Sequence, residues 1–165
     1  ISEDATLVLT ENKIADLNAR LVFPVQTDLI ALLHQFFNNN KEILHPISAF
    51  LSNPVKSKKK NCAVIVTTRN YFYLIIYRNS NLLLANSFQN LHQTDLIYNV
   101  LNSFQQLETA RSETELFVCY AINKITEIEY LLKPYFNHIS KLKTDQTTVN
   151  QEGLNHSLQL DLSTI

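Results

Sequence analysis

A mixed α/β fold is what this sequence predicts, built around a lobe that runs strand, strand, strand, helix, strand, helix over residues 62–139. Three observations predict it. Three short apolar runs, Cys62–Thr68, Tyr71–Tyr77 and Leu82–Phe88, are separated by short segments that contain the turn formers Arg69-Asn70 and Asn79-Ser80. Apolar residues then recur at helical spacing through Leu96, Ile97, Val100, Leu101, Phe104 and Leu107. A fourth apolar run, Leu116–Ala121, precedes a second helical pattern.

Before this lobe, Leu21-Val22-Phe23 reads as a buried strand that Pro24 closes. Gln26 or Thr27 then starts a helix, with Asp28 in the first turn, where the helix dipole favours a negative charge. Leu29, Ile30, Leu32, Leu33, Phe36 and Phe37 form its apolar stripe, and Asn38-Asn39-Asn40 stops it. Ile43-Leu44 reads as another strand. His45-Pro46 opens a short helix with Pro at its first position, where the missing N–H is harmless, and Ile47, Phe50 and Leu51 supply its core face. Asn53-Pro54 ends that segment. The division expected is residues 1–55 as the end of a first lobe, 56–61 as a basic linker, and 62–165 as a second lobe with a polar tail.

Within the second lobe, Asn70 suits a tight turn because asparagine tolerates positive φ. The three strands form an antiparallel meander. Both faces are apolar, so the sheet should be covered on both sides. Leu116–Ala121 should add parallel to the first strand through a crossover helix capped by Thr94. Asn123 caps the next helix, which carries Ile125, Ile128, Leu131 and Leu132, and Pro134 ends it. Ile139–Leu142 reads as a further strand, residues 144–152 as a loose polar tail, and Leu158, Leu160 and Leu162 as a late edge strand.

The composition narrows the function. With 45% hydrophobic and 18% charged residues, the chain has material for a core and is not a disordered tail. A net charge of −1 gives no general attraction to nucleic acid or anionic membrane. No stretch of eighteen apolar residues is present to span a bilayer. Cys62 and Cys119 each sit in an apolar run, which reads as buried reduced thiols and a cytoplasmic location.

Three segments carry a resemblance. Ile43-Leu44-His45-Pro46-Ile47-Ser48-Ala49-Phe50-Leu51, Asn81-Leu82-Leu83-Leu84-Ala85-Asn86-Ser87-Phe88 and Leu21-Val22-Phe23-Pro24-Val25 resemble a bacterial family of unknown function with an actin-like ATPase, ribonuclease H-like fold. The βββαβα order with two tight hairpins is the core of that fold. The resemblance covers most of residues 5–142 and matches the family's C-terminal two-thirds. It implies a further βββ-type lobe ahead of Ile1, in keeping with the absence of any methionine.

The residues argue against that fold's best-known chemistry. Actin-like ATPases grip phosphate with hairpin turns of the type Asp-x-Gly-x-x-Thr, in which glycine admits backbone N–H groups to the phosphate and aspartate organises magnesium. The corresponding turn, Val66-Thr67-Thr68-Arg69-Asn70-Tyr71, has neither acid nor glycine, and Tyr71 and Phe72 should crowd a phosphate. The only glycine is Gly153, in the polar tail. A two-metal nuclease needs clustered carboxylates. The first strand of the second lobe has none, and Asp95 and Glu115 read as capping or solvated residues.

Among His34, His45, His92, His138 and His156 no pair stands at helical metal-ligand spacing, and His45 reads as a helix cap. Lys56, Lys58, Lys59 and Lys60 read as a solvated linker, with no interleaved aromatic residues for nucleic-acid stacking. The expectation is a non-catalytic binding or scaffold module that engages a protein partner. It has no catalytic, cofactor-binding or metal residue, no cofactor, and no membrane, nucleotide or nucleic-acid partner. The alternative is an ATP-binding ATPase whose phosphate motifs lie outside this chain.

Overall fold

The computed structural model describes residues 6–37, 42–52, 55, 57–120, 125–142 and 157–158. They fall into two compact units, with 6–37, 42–52 and 157–158 in the first and 55, 57–120 and 125–142 in the second.

The first unit opens with a strand the sequence reading did not assign, β1 (Leu7–Ile14). It pairs antiparallel along its whole length with β2 (Ala19–Gln26). A short 3-10 turn at Ala15–Leu17 joins them, and Asn18 closes it at φ 46°, a left-handed conformation that asparagine tolerates. Pro24 does not end the strand, as had been expected. It lies inside β2 opposite Leu9. Thr27 N donates to Thr6 O, which sets the alternation of bonded pairs and places Pro24 at a non-bonded position. Its missing N–H points away from β1 and costs the ladder nothing.

Helix α1 (Thr27–Phe36) follows directly. Its apolar stripe is only partly covered: no residue is fully buried, and Phe36 is 70% exposed. Asn38–Asn40 lie outside the described residues.

Strand β3 (Glu42–Ile43) and helix α2 (Pro46–Ser52) follow, with Pro46 opening the helix as the sequence predicts. Ile47 and Leu51 are buried, while Phe50 is half-buried. Asn12 ties the unit together. It is 1% exposed; its Nδ2 donates to Ile43 O at 2.8 Å, and its Oδ1 accepts from His45 N at 2.8 Å.

The second unit holds a five-stranded mixed sheet. Its strands are β4 (Asn61–Thr67), β5 (Tyr71–Arg78), β6 (Asn81–Gln89), β7 (Thr114–Tyr120) and β8 (His138–Leu142), in the spatial order β6-β5-β4-β7-β8. The meander is antiparallel, and β7 lies parallel to β4 with Val64 opposite Phe117. The Asn79-Ser80 turn has φ of 51° and 65°, the pattern of a type I′ hairpin whose twist matches its strands. Asn70 has no positive φ, so that part of the expectation fails. The β4–β5 turn is instead held by Thr68.

Helix α3 (Gln93–Gln106) bridges β6 and β7, and α4 (Ile125–Leu132) precedes β8. Thr94 is not the cap of α3. His92 is, in a capping box closed by Asp95, whose Oδ2 accepts the N–H groups of Leu91 and His92 at 3.1 and 2.8 Å. Leu96, Val100 and Phe104 of α3, with Leu132 and Phe136, pack on Ile65, Phe72, Leu74 and Ile76. Phe104 meets Phe136 edge-on at 5.1 Å. The residues of β4 are buried on both faces, as its unbroken apolar run requires.

Leu107 and Glu108 finish α3 in a Schellman motif, with Glu108 N donating to Gln105 O and Thr109 N to Phe104 O. Arg78 closes this end from β5. Its Nη2 donates to Leu107 O at 2.5 Å, Glu108 O at 3.1 Å and Thr109 Oγ1 at 2.7 Å, setting a cation at the negative end of the helix.

The late strand expected around Leu158 is observed as β9 (Ser157–Leu158), parallel to β3 in the first unit. Asn53-Pro54, Lys56, Asn123, residues 144–152, Gly153, Leu160 and Leu162 lie outside the described residues. No helix among the described residues is long and apolar enough to cross a membrane.

Candidate functional site

The turn between β4 and β5 is the one that the resemblance to actin-like ATPases assigns to a phosphate, and its hydrogen bonds are directed inward. Thr68 N donates to Tyr71 O at 2.8 Å. The Thr68 hydroxyl donates to the same oxygen at 2.9 Å and accepts from Tyr71 N at 3.2 Å. Asn70 O accepts from Asn90 N, which ties the turn to the end of β6. The N–H groups of Thr68 and Tyr71 are therefore engaged within the turn. Every position from Thr67 to Tyr71 carries a Cβ, so backbone approach to a ligand is hindered throughout. Tyr71 stands at the turn, 46% exposed. Phe72 does not crowd it, as had been expected. It is fully buried and stacks on Phe88 at 5.2 Å.

The two carboxylates weighed in the sequence are not brought together. Asp95 closes the capping box of α3. Glu115 is neither a cap nor free in solvent: it sits inside β7, half-buried, paired in register with Cys62. Its Oε2 accepts from Ser57 Oγ at 2.6 Å and its Oε1 from Ser140 Oγ at 3.3 Å. This places it at the start of β4, the opposite end of that strand from the Thr67–Tyr71 turn. It fastens the segment entering β4 to β7 and β8.

Beside it, burial and then the negative charge of Glu115 push the Cys62 thiol up to about 12, so it is no nucleophile near neutral pH. Cys119 is also buried, and neither cysteine is in a disulfide. No group of three or more His, Cys, Asp or Glu among the described residues could hold a metal ion.

His45 acts at the start of α2. Its carbonyl accepts Ser48 N and Ser48 Oγ, its Nδ1 accepts Ile47 N at 3.3 Å, and its ring lies 5.1 Å from that of Phe23. Burial lowers its pKa from the ordinary 6.5, which keeps the ring neutral and able to accept. Lys58, Lys59 and Lys60 are exposed.

One concavity of about 720 Å³ escaped the sequence reading. It lies at the end of α3 over Leu101 and Phe104, with Glu108, Arg111 and Tyr135 at its rim. The Arg111 guanidinium lies 6.0 Å from the centre of the Tyr135 ring. These residues converge through the turn at Glu108, which has no glycine to announce it.

Comparison with solved structures agrees with the topology. A protein of unknown function with an actin-like ATPase fold from Bacteroides thetaiotaomicron superposes with a TM-score of 0.74 at 16% sequence identity, over 86% of this chain and 56% of that one. This chain thus spans little more than half the length of that neighbour, and at such identity the likeness establishes the actin-like fold alone. No curated protein matches the chain. The profile of the family described as "Protein of unknown function (DUF3822)" matches residues 1–139, and the chain belongs to that family.

Proposed function

We propose that this chain is a non-catalytic binding or scaffold module on an actin-like fold. The observation that carries the reading is the β4–β5 turn, closed on itself by Thr68 and Tyr71 where an ATPase would present open N–H groups and a magnesium-binding acid. The partner is a protein. The first unit supports this with exposed apolar side chains on β1, β2 and α1, among them Leu7, Leu9, Val22 and Phe36. A cytoplasmic setting suits the two buried, unbridged cysteines.

Titration of the purified chain with Mg-ATP by calorimetry tests the reading, and no saturable heat is expected. A dissociation constant below about 100 μM would overturn it. A second reading rests on the chain spanning 56% of its structural neighbour: an ATP site whose phosphate contacts lie in sequence outside this chain. Silence from this chain together with binding by a longer protein that contains it would select that reading.

A further inference from the structure

Among the described residues, β6 is an edge of the five-stranded sheet. It runs nine residues, Asn81–Gln89, with no charged residue and no proline. Sheet edges are ordinarily blunted by such residues, because a row of unpaired N–H and C=O groups templates another chain.

The ladder fixes which groups face outward. Asn90 N donates to Asn70 O, and Phe88 pairs with Phe72, Asn86 with Leu74 and Leu84 with Ile76. Bonded positions alternate in an antiparallel pair, so these even-numbered residues point their backbone groups at β5. Ala85, Ser87 and Gln89 point theirs away from the sheet. Two features interrupt that outward row. The register shifts at Ile76/Tyr77, a local irregularity near the start of the strand. Farther along, the outward N–H of Ser87 donates to Oδ1 of Asn86 at 2.8 Å. One of the outward donors that a docking strand would need is already occupied by the neighbouring side chain.

We infer that Asn86 is an edge guard: its side-chain carbonyl, folded onto the Ser87 N–H, keeps β6 from pairing with β6 of a second copy of this chain. A second copy is the relevant partner because the strand carries no charge. Antiparallel pairing of β6 on itself about a two-fold axis sets no like charges opposite each other. Ala85, Asn86 and Ser87 are all exposed, so the middle of the strand is open to approach.

Sedimentation equilibrium over a concentration series tests this, independently of the proposed binding role. Asn86→Val removes the acceptor and raises strand propensity at an exposed position. Asn86→Ala removes the same oxygen with the least other change and guards against a fold defect in the valine chain. Both should self-associate at concentrations about thirtyfold lower than the wild-type chain, the net worth of about two freed hydrogen bonds, one from each copy. Adding Ser87→Lys to either variant sets like charges across the two-fold pair and should restore wild-type behaviour. Association unchanged in both single variants, or an added association that survives Ser87→Lys, overturns the inference.

Discussion

Replacing Glu108 with glycine should make the protein more stable, and the amount follows from one dihedral. Glu108 is the residue after the end cap of α3 and sits at φ 49°. An L-residue in the left-handed region carries a penalty of about 1–2 kcal/mol from the contact between Cβ and the following carbonyl. Glycine escapes that penalty but loses more backbone entropy on folding, about 0.5–1 kcal/mol. The bonds that define the turn are Glu108 N to Gln105 O, Thr109 N to Phe104 O, and Arg78 to Leu107 O and Glu108 O. All of them use backbone acceptors that glycine keeps. The net gain is about 0.5–1 kcal/mol. With an m value of about 2 kcal/mol/M, the urea midpoint should rise by about 0.25–0.5 M. Glu108→Ala is the control, because it removes the carboxylate from the negative end of α3 but keeps the Cβ. It should stay within about 0.5 kcal/mol of the wild type. A glycine variant no more stable than the alanine one would show that the φ angle carries no stored cost, and the reasoning would fail.

Other expectations follow from buried contacts and titrating groups. Phe104→Ala, which empties the site facing Phe136, should cost about 3–5 kcal/mol by urea unfolding. Asn12→Ala strands the Ile43 carbonyl and the His45 N–H and should cost about 2–3 kcal/mol by the same measurement. Changing Lys58, Lys59 and Lys60 together to serine should shift stability by less than about 0.5 kcal/mol, since all three are exposed. Stability should also form a plateau in pH. His45 has a lowered pKa when folded, so the unfolded chain takes up its proton first, and stability falls as pH drops below 6.5. Cys62 has a raised pKa, so the unfolded chain releases that proton first, and stability falls as pH rises above 9.0 towards about 12. Melting temperatures across this range would check both arms, and His45→Gln should flatten the acid one.

Where one residue pattern determined an element, the sequence was readable. The five-stranded sheet follows from unbroken apolar runs, the α3 core face from a clean helical period, and the start of α2 from Pro46. β1 was missed because Leu7-Val8-Leu9 carries exposed apolar residues that obey no alternation a single sheet face would impose. Pro24 misled because its effect depends on which way an absent N–H points, and only the register with β1 reveals that. The cap of α3 was misplaced because Thr94 is a good capping residue by type, whereas the box that starts the helix is made by His92 with Asp95 three residues on. The roles of Glu115 and Arg78 depend on partners from other elements, which no local pattern encodes, and that of Asn86 depends on the Ser87 N–H facing outward, which only the register with β5 reveals. The closed Thr68–Tyr71 turn was half legible: the sequence shows the missing glycine, but not the threonine hydroxyl that occupies the Tyr71 N–H.

The order of strands also says something about how the protein is made. β4 lies at the centre of the sheet, yet among the sheet's strands it leaves the ribosome first. Its parallel partner begins at Thr114, 53 residues after Asn61. At about 5–20 residues per second, that strand arrives about 3–10 s later, whereas a hairpin closes in about 1–10 μs. The β4–β6 meander therefore waits as a nascent three-stranded ribbon, its central-strand-to-be exposed along one side. Chaperone occupancy during translation should peak in this window and fall once β7 clears the exit tunnel.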